Sequence, residues 1–304
     1  MTTGTRLPAV AMLSVPGRLT ETVSLGTEFD AAGFPGLYLP SAGDPMSLCL
    51  SLAHATRSIT LATSVLPIYR RHPVDLAAAA HHVTEVSDGR FVLGLGVSHA
   101  PQRSQLGVKP MSLLEDMRGY LDELSEQLST TRSAPRIMVA ALGPKMIELA
   151  LTRSAGLIQA NAARSHIPSL MADLHKRGRP PGFRVANMIP TVIGDDIAAA
   201  REQCRDILLP YLSRPSYVSY WRRSGHAVAM GAVDQARDSG DPVRVRAAMS
   251  DRWIDDVCLC GPASRIHEGL AAWFETGIDL PVLVPSSLSG GHRTALRQIL
   301  AMFT

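Results

Sequence analysis

Lysine is nearly missing from this sequence: of 30 basic residues only Lys109, Lys145 and Lys176 are lysines. A GC-rich genome would produce such an arginine bias without any electrostatic need, so each lysine is worth inspection. With 27 acidic residues the formal net charge is only +3, and there is no dense basic run with interleaved aromatics, which argues against a nucleic-acid surface. Cysteine is scarce too. Cys49, Cys204, Cys258 and Cys260 are the four, and the one-residue gap between the last two suits neither a zinc knuckle nor a C-x-x-C redox pair. They read as reduced core fillers. No apolar stretch approaches the roughly 18 residues that span a bilayer, and residues 1–7 lack the charged region, apolar run and small-residue cleavage site of a leader. A cytoplasmic chain without a membrane partner is expected. H-E-x-x-H is absent and the histidines do not pair with carboxylates at ligand spacing, so no metal site is expected. The absence of a G-x-S-x-G elbow argues against hydrolysis by a serine nucleophile.

What is present is a regular alternation. The chain of 304 residues is 46% hydrophobic, enough to bury a full core, and a single domain over 1–304 is the expectation. Short β-branched or apolar runs alternate with longer helix-patterned ones, the signature of parallel strands joined by crossover helices. The strands fall at 8–13, 37–40, 59–63, 92–95, 137–140, 157–159, 185–193 and 280–284. An amphipathic helix over 19–32 stops at Gly33, and a second over 73–86 opens with Pro73 and closes with Ser87, Asp88 and Gly89. Further helices are expected at 111–128 and 292–302, and several in the mixed stretch 213–262, inserted before the last strand. A doubly wound open sheet would announce itself with G-x-G-x-x-G after the first strand. Only G-x-G occurs, at Gly94 and Gly96 after the fourth, so an eight-stranded α/β (TIM) barrel fits better.

Barrel enzymes place their chemistry on the loops that follow the strands. Thr63, Ser64, Val65, Leu66 and Pro67 follow the third strand, as a site or as a plain strand-end turn. Gly94, Gly96, Val97 and Ser98 end the fourth, where small residues let a ring approach the backbone and Ser98 offers a hydrogen bond; a glycine-rich turn is the plainer alternative. After the fifth strand Gly143 and Pro144 open a helix whose free N–H groups, with Lys145, suit a phosphate, unless the glycine and proline merely start a helix. His99 stands at a strand's C-terminal end as a candidate proton donor, whereas His81 and His82 fall on the barrel exterior. Arg70, Arg71, His72 and Arg103 either neutralise an acidic ligand or face water.

Several segments carry a resemblance: L-A-T-S-V-L-P-I-Y-R-R-H-P-V-D-L-A from Leu61, S-D-G-R-F-V-L-G-L-G ending at Gly96, V-A-A-L-G-P-K-M over 139–146, D-P-M-S-L at Asp44, and G-I-D-L-P-V-L-V-P near the end. Together they cover most of the chain and resemble the luciferase-like flavin and deazaflavin oxidoreductases, above all the branch that uses coenzyme F420. The resemblance implies a (β/α)₈ barrel and a cofactor, coenzyme F420 or alternatively FMN. It implies a cis peptide between Ser64 and Val65 supporting the cofactor ring, with Gly96, Val97 and Ser98 beside it. Ala141, Leu142, Gly143, Pro144, Lys145 and Met146 would hold the phosphate side. It also implies a homodimer and hydride transfer to or from an activated C=C, C=N or carbonyl carbon, with reduction the expected direction.

The chain departs from the family in three places. Ser41 stands where many deazaflavin members carry an acidic residue after the second strand, so Asp44 takes over, or His99 donates the proton, or the usual chemistry is lost. Ser154, Ala155 and Gly156 replace A-D-G. The segment between Leu128 and Arg136 looks too short for the usual hairpin, which leaves an open pocket suited to a large or peptidic substrate. A flavin monooxygenase and a non-catalytic barrel acting as a binding or accessory protein are the alternatives.

Overall fold

The structure, a computed structural model, describes residues 6–129, 133–238 and 240–304. The expected absence of a hairpin before Arg136 falls partly on 130–132, outside the described residues. Among the described residues there are ten strands: β1 Ala9–Ala11, β2 Gly36–Leu39, β3 Thr60–Thr63, β4 Leu66–Pro67, β5 Phe91–Gly96, β6 Arg136–Ala140, β7 Gly156–Ala160, β8 Arg184–Ile193, β9 Leu259–Gly261 and β10 Leu280–Ser287. The sheet order is β10-β1-β2-β3-β5-β6-β7-β8-β9, with β10 also pairing β8 and β4 pairing β5. Eight strands thus close the ring of a (β/α)₈ barrel, as expected. The sequence reading missed β4 and β9, which are two and three residues long, too short to show a period of two.

The chain divides into two compact units, Met1–Ile158 with Pro180–Val185 and Phe303–Thr304, and Gln159–Arg179 with Ala186–Met302. The first holds the helices α1 Leu19–Ala31, α2 Pro45–Ala55, α3 Pro73–Val86, α4 Ala100–Gln105, α5 Leu113–Ser129 and α6 Pro144–Arg153. Its strands β1 and β2 pair through Val10 and Leu37, and β2 and β3 through Leu37 and Leu61, all fully buried. Two side chains fix the joints. Asp30 at the end of α1 accepts hydrogen bonds from the N–H groups of Arg57, Ser58 and Ile59 at 2.6, 3.0 and 2.7 Å, holding the turn into β3. Arg90, the arginine of S-D-G-R, donates to the carbonyls of Ala53, Thr56 and Ile59 and so ties the end of α2 to the start of β3.

The second unit contains α7 Ile167–Lys176, α8 Ile197–Leu208, α9 Pro215–Trp221, α10 Ala227–Asp238, α11 Pro242–Ala248, α12 Asp251–Val257, α13 Ala263–Glu275 and α14 His292–Phe303, whose last residue falls in the first unit. The helices α9 to α12 are the insertion expected over 213–262 before the last strand, and α8 packs beside them. They pack around a chain of aromatic rings, Tyr211, Tyr217, Trp221 and Trp253, with successive centroids 4.7, 5.5 and 4.8 Å apart. Such edge and tilted pairs add about 0.5–1.5 kcal/mol each beyond burial. All four cysteines are free and buried, but they are less scattered than the sequence implies: Cys204 on α8 reaches both Cys258 and Cys260, the residues flanking Leu259.

Candidate active site

The candidate site is built in the first unit, on the segments that follow β2, β3, β5 and β6. At the end of β3, Thr63 Oγ1 donates to the carbonyl of Gly94 at 2.8 Å and accepts from the Gly94 N–H at 2.9 Å. A hydroxyl paired twice with its neighbour stands in for the ordinary ladder, which resumes against β5 at Leu66 and Leu95. The next peptide, Ser64–Val65, is cis. The Ser64 hydroxyl is buried without a hydrogen-bond partner among the described residues, a group that a ligand would satisfy.

Gly94 and Gly96 serve this turn directly. A Cβ on Gly94 would lie 2.0 Å from the Thr63 carbonyl oxygen, and one on Gly96 would lie 2.6 Å from Val65 Cγ2 and 3.2 Å from Ala140 Cβ. The space over these glycines is filled by the protein's own 63–65 segment, so they seat that segment rather than offer a bare surface to a ring. Beyond them Ser98 adopts φ +59°, a left-handed conformation uncommon outside glycine. Arg103 secures it by donating to the carbonyls of Val97 and Ser98 at 3.3 and 2.7 Å. His99 follows as the residue before α4, and its side chain does not cap that helix.

Beyond β6, buried Ala141 and half-buried Leu142 lead to Gly143, which begins α6 with φ −91° and ψ 151° and no side-chain cap. Pro144 has no N–H, so the free first-turn donors are those of Lys145 and Met146. A Cβ built on Gly143 meets nothing within 4 Å. This is the reverse of Gly96: an uncapped helix terminus facing open space, with the exposed Lys145 beside it. A helix terminus with free N–H groups is of the kind that can hold an anion.

The residues after β2 are arranged otherwise. Asp44 caps α2, accepting from the N–H groups of Met46 and Ser47 and from the Ser47 hydroxyl, with Arg71 at 3.6 Å. Partial burial raises its pKa, but the Ser47 contacts, Arg71 and the Met46 N–H outweigh burial and hold the carboxyl below its ordinary value. Asp44 is therefore ionised at neutral pH with both oxygens engaged, a helix cap with no proton to give. The carbonyl of Ser41 accepts from Arg70 at 3.0 Å. His72 caps α3, its Nδ1 accepting from Val74 at 3.4 Å. The R-R-H run, read from sequence as ligand-facing or solvated, thus braces the turns around β2 and α3. His81 contacts the Ser133 carbonyl at 3.2 Å from α3, consistent with a structural role.

Comparison with known proteins identifies the family. A family model for luciferase-like monooxygenases matches residues 1–280. The chain belongs to that family. A Mycobacterium tuberculosis protein assigned to the coenzyme F420-dependent oxidoreductases is 23% identical over 281 residues, covering 77% of this chain and 81% of its own. The solved coenzyme F420-dependent tetrahydromethanopterin reductase of Methanopyrus kandleri superposes with a TM-score of 0.74 at 15% identity, over 97% of both chains. The oxygenating constituent of 3,6-diketocamphane monooxygenase from Pseudomonas putida, solved with FMN, gives a TM-score of 0.63 at 18% identity, over 97% of this chain and 96% of its own. Among the described residues no group of side chains could hold a metal ion, and no helix is long and apolar enough to cross a membrane.

Proposed function

We propose that this oxidoreductase of the luciferase-like family uses coenzyme F420 and, in its reduced form, delivers hydride to an activated C=C, C=N or carbonyl carbon. The observation that carries the reading is the pairing of two unlike sites in one unit: the glycine-seated 64–65 turn with its unpartnered Ser64 hydroxyl, and the uncapped terminus of α6 at Gly143. Ser64 would bond the ring edge, Val65 would support its face, and Val97 and Ser98 would border it. Lys145 and the N–H groups of Lys145 and Met146 would hold the phosphate, with Ala141, Leu142 and Pro144 shaping the approach. When bound, the deazaflavin supplies a two-electron hydride and leaves proton transfer to the protein. Of Ser41, Asp44 and His99, the histidine suits that task best, because an imidazole can both give and take a proton, whereas the Asp44 carboxylate is spent capping α2.

A second reading is an FMN-dependent monooxygenase, favoured by the similarity to the FMN-bound oxygenase. Fluorescence titration of the purified protein with coenzyme F420 and with FMN separates the two. Micromolar binding of F420, weakened by Lys145→Ala, supports the reductase, and preference for FMN supports the oxygenase. Binding of neither would leave a barrel with an accessory role and remove both enzymatic readings. A homodimer is expected of the protein in solution, which light scattering tests.

A further inference from the structure

The sequence contains two asparagines in 304 residues, Asn161 and Asn187, and the fold brings both to one turn of the second unit. Asn161 follows β7 directly and adopts φ +56°; Asn187 lies within β8. The turn they share is held from every side. The Asn161 N–H donates to Met188 O at 3.0 Å and its carbonyl accepts from Trp221 Nε1 at 2.9 Å. The Ala162 N–H donates to Asn187 Oδ1 at 3.2 Å, and the Ala163 N–H to the Tyr220 hydroxyl at 3.2 Å. Asp256 takes both the N–H and the hydroxyl of Ser165, at 2.9 and 2.7 Å, and is itself bonded to His226 Nε2 at 2.7 Å.

Within this fixed frame two donors remain unspent. Asn161 is 5% exposed and Asn187 not at all, yet neither Nδ2 has a hydrogen-bond partner among the described residues. The Ala162 N–H fixes which end of the Asn187 carboxamide is oxygen, so its NH₂ is turned away from the turn it supports. Buried donors are nearly always satisfied, and leaving two adjacent ones free weakens the fold unless something accepts from them. Asn161 stands just past the C-terminal end of β7, where this architecture places its chemistry, and Asn187 is bonded to the same turn from within β8.

We propose that Asn161 and Asn187 form a two-donor site for the carbonyl oxygen of the substrate. The proposal rests on the reductase reading above. Hydride addition to a carbonyl forms a C–H bond from the hydride's own electron pair, supplied by a reduced deazaflavin, and breaks the C–O π bond, whose electrons move onto oxygen, which then takes a proton. Two rigid amide donors aimed at that oxygen strengthen as its charge grows, whereas two charged donors would hold a carboxylate instead. The neutrality of the pair therefore selects a ketone, aldehyde or enone over an acid.

With only two asparagines, protein labelled with ¹⁵N-asparagine shows two side-chain NH₂ pairs, assigned through Asn187→Leu. Cyclohexanone is titrated in, with and without F420, against methylenecyclohexane, which keeps the shape and lacks the oxygen. The expected result is saturable shifts of both pairs by the ketone alone. Asn187→Leu should weaken ketone binding about tenfold, the share of one hydrogen bond, and leave F420 binding within about twofold by the same reasoning. Shifts produced by F420 with nothing added by the ketone would assign the donors to a cofactor carbonyl and overturn the proposal. Equal response to both hydrocarbon skeletons, a shift of one pair only, or no shift overturns it as well. If Asn187→Leu does not fold, the wild-type titration still decides. Ketone shifts in a protein that fails to bind F420 would keep the oxygen site and remove the F420 reading.

Discussion

Two glycines in the candidate site invite opposite outcomes from the same added methyl group. In Gly96→Ala the new Cβ would lie 2.6 Å from Val65 Cγ2 and 3.2 Å from Ala140 Cβ. Neither neighbour is the tip of a flexible side chain, so relief must come from moving the 64–65 turn or β6, and overpacking of this kind costs about 1–3 kcal/mol. In Gly143→Ala the Cβ meets nothing within 4 Å and φ is already −91°. There the gain from a stiffer unfolded chain, about 0.4–1 kcal/mol, offsets the loss of glycine as a helix cap, a few tenths of a kcal/mol or more. Urea unfolding followed by circular dichroism should therefore separate the two by about 1–3 kcal/mol. F420 titration should show the second change in function: Gly143→Ala, though as stable as the parent, binds at least about tenfold more weakly, because its methyl blocks charge-assisted hydrogen bonds to the phosphate. An unchanged dissociation constant in Gly143→Ala would refute α6 as the phosphate seat, and an unchanged stability in Gly96→Ala would refute the packing argument.

Asp30→Asn should destabilise the fold by about 1–2 kcal/mol at neutral pH, since the amide cannot accept all three turn N–H groups. Burial raises the Asp30 pKa but the Arg57, Ser58 and Ile59 bonds lower it further, so its contribution is full above the unfolded value near 3.8 and is lost as pH falls through the folded one. The gap between parent and variant should close in acid, as urea midpoints across pH would record. Asp44→Asn should leave the limbs of the kcat pH profile in place, whereas loss of a limb on which activity falls as pH rises would restore Asp44 as the proton donor. Iodoacetamide at pH 8 should leave the cysteines unmodified until the protein unfolds, because all four are buried, and the Cys258 thiol beside Cys204 and the Cys204 thiol beside Cys260, with burial added, push both upward.

The barrel was legible because its units obey local rules. The stretch 73–91 shows this: Pro73 at the start, Asp88 and Gly89 at φ +52° and +76° at the end, then β5. The 64–65 turn was legible only through resemblance, since no periodicity marks it. Arginine roles were not legible at all, because a guanidinium that binds a carbonyl 29 or 37 positions away leaves no trace in spacing. Asn161 and Asn187 were passed over for a similar reason. An isolated asparagine reads as a turn former, and only the fold places both beside Ala162.

The near absence of lysine acquires a structural use from the same contacts. Arg90 binds three carbonyls at the joint of α2 and β3, Arg103 two consecutive ones at Val97 and Ser98, and Arg70 that of Ser41. Strand-end turns expose carbonyls that no ladder satisfies, and a planar fork with five donors can span two of them at once, which an ammonium on a flexible stem does less well. Whatever the origin of the bias, arginines at 70 and 103 hold loops on which the candidate chemistry stands, and Arg90 holds the joint that leads into β3. The exposed Lys145 is set apart from them: it lies beside an open helix terminus, where a compact point charge on a mobile stem is better suited to a phosphate that arrives and leaves than to a carbonyl that stays.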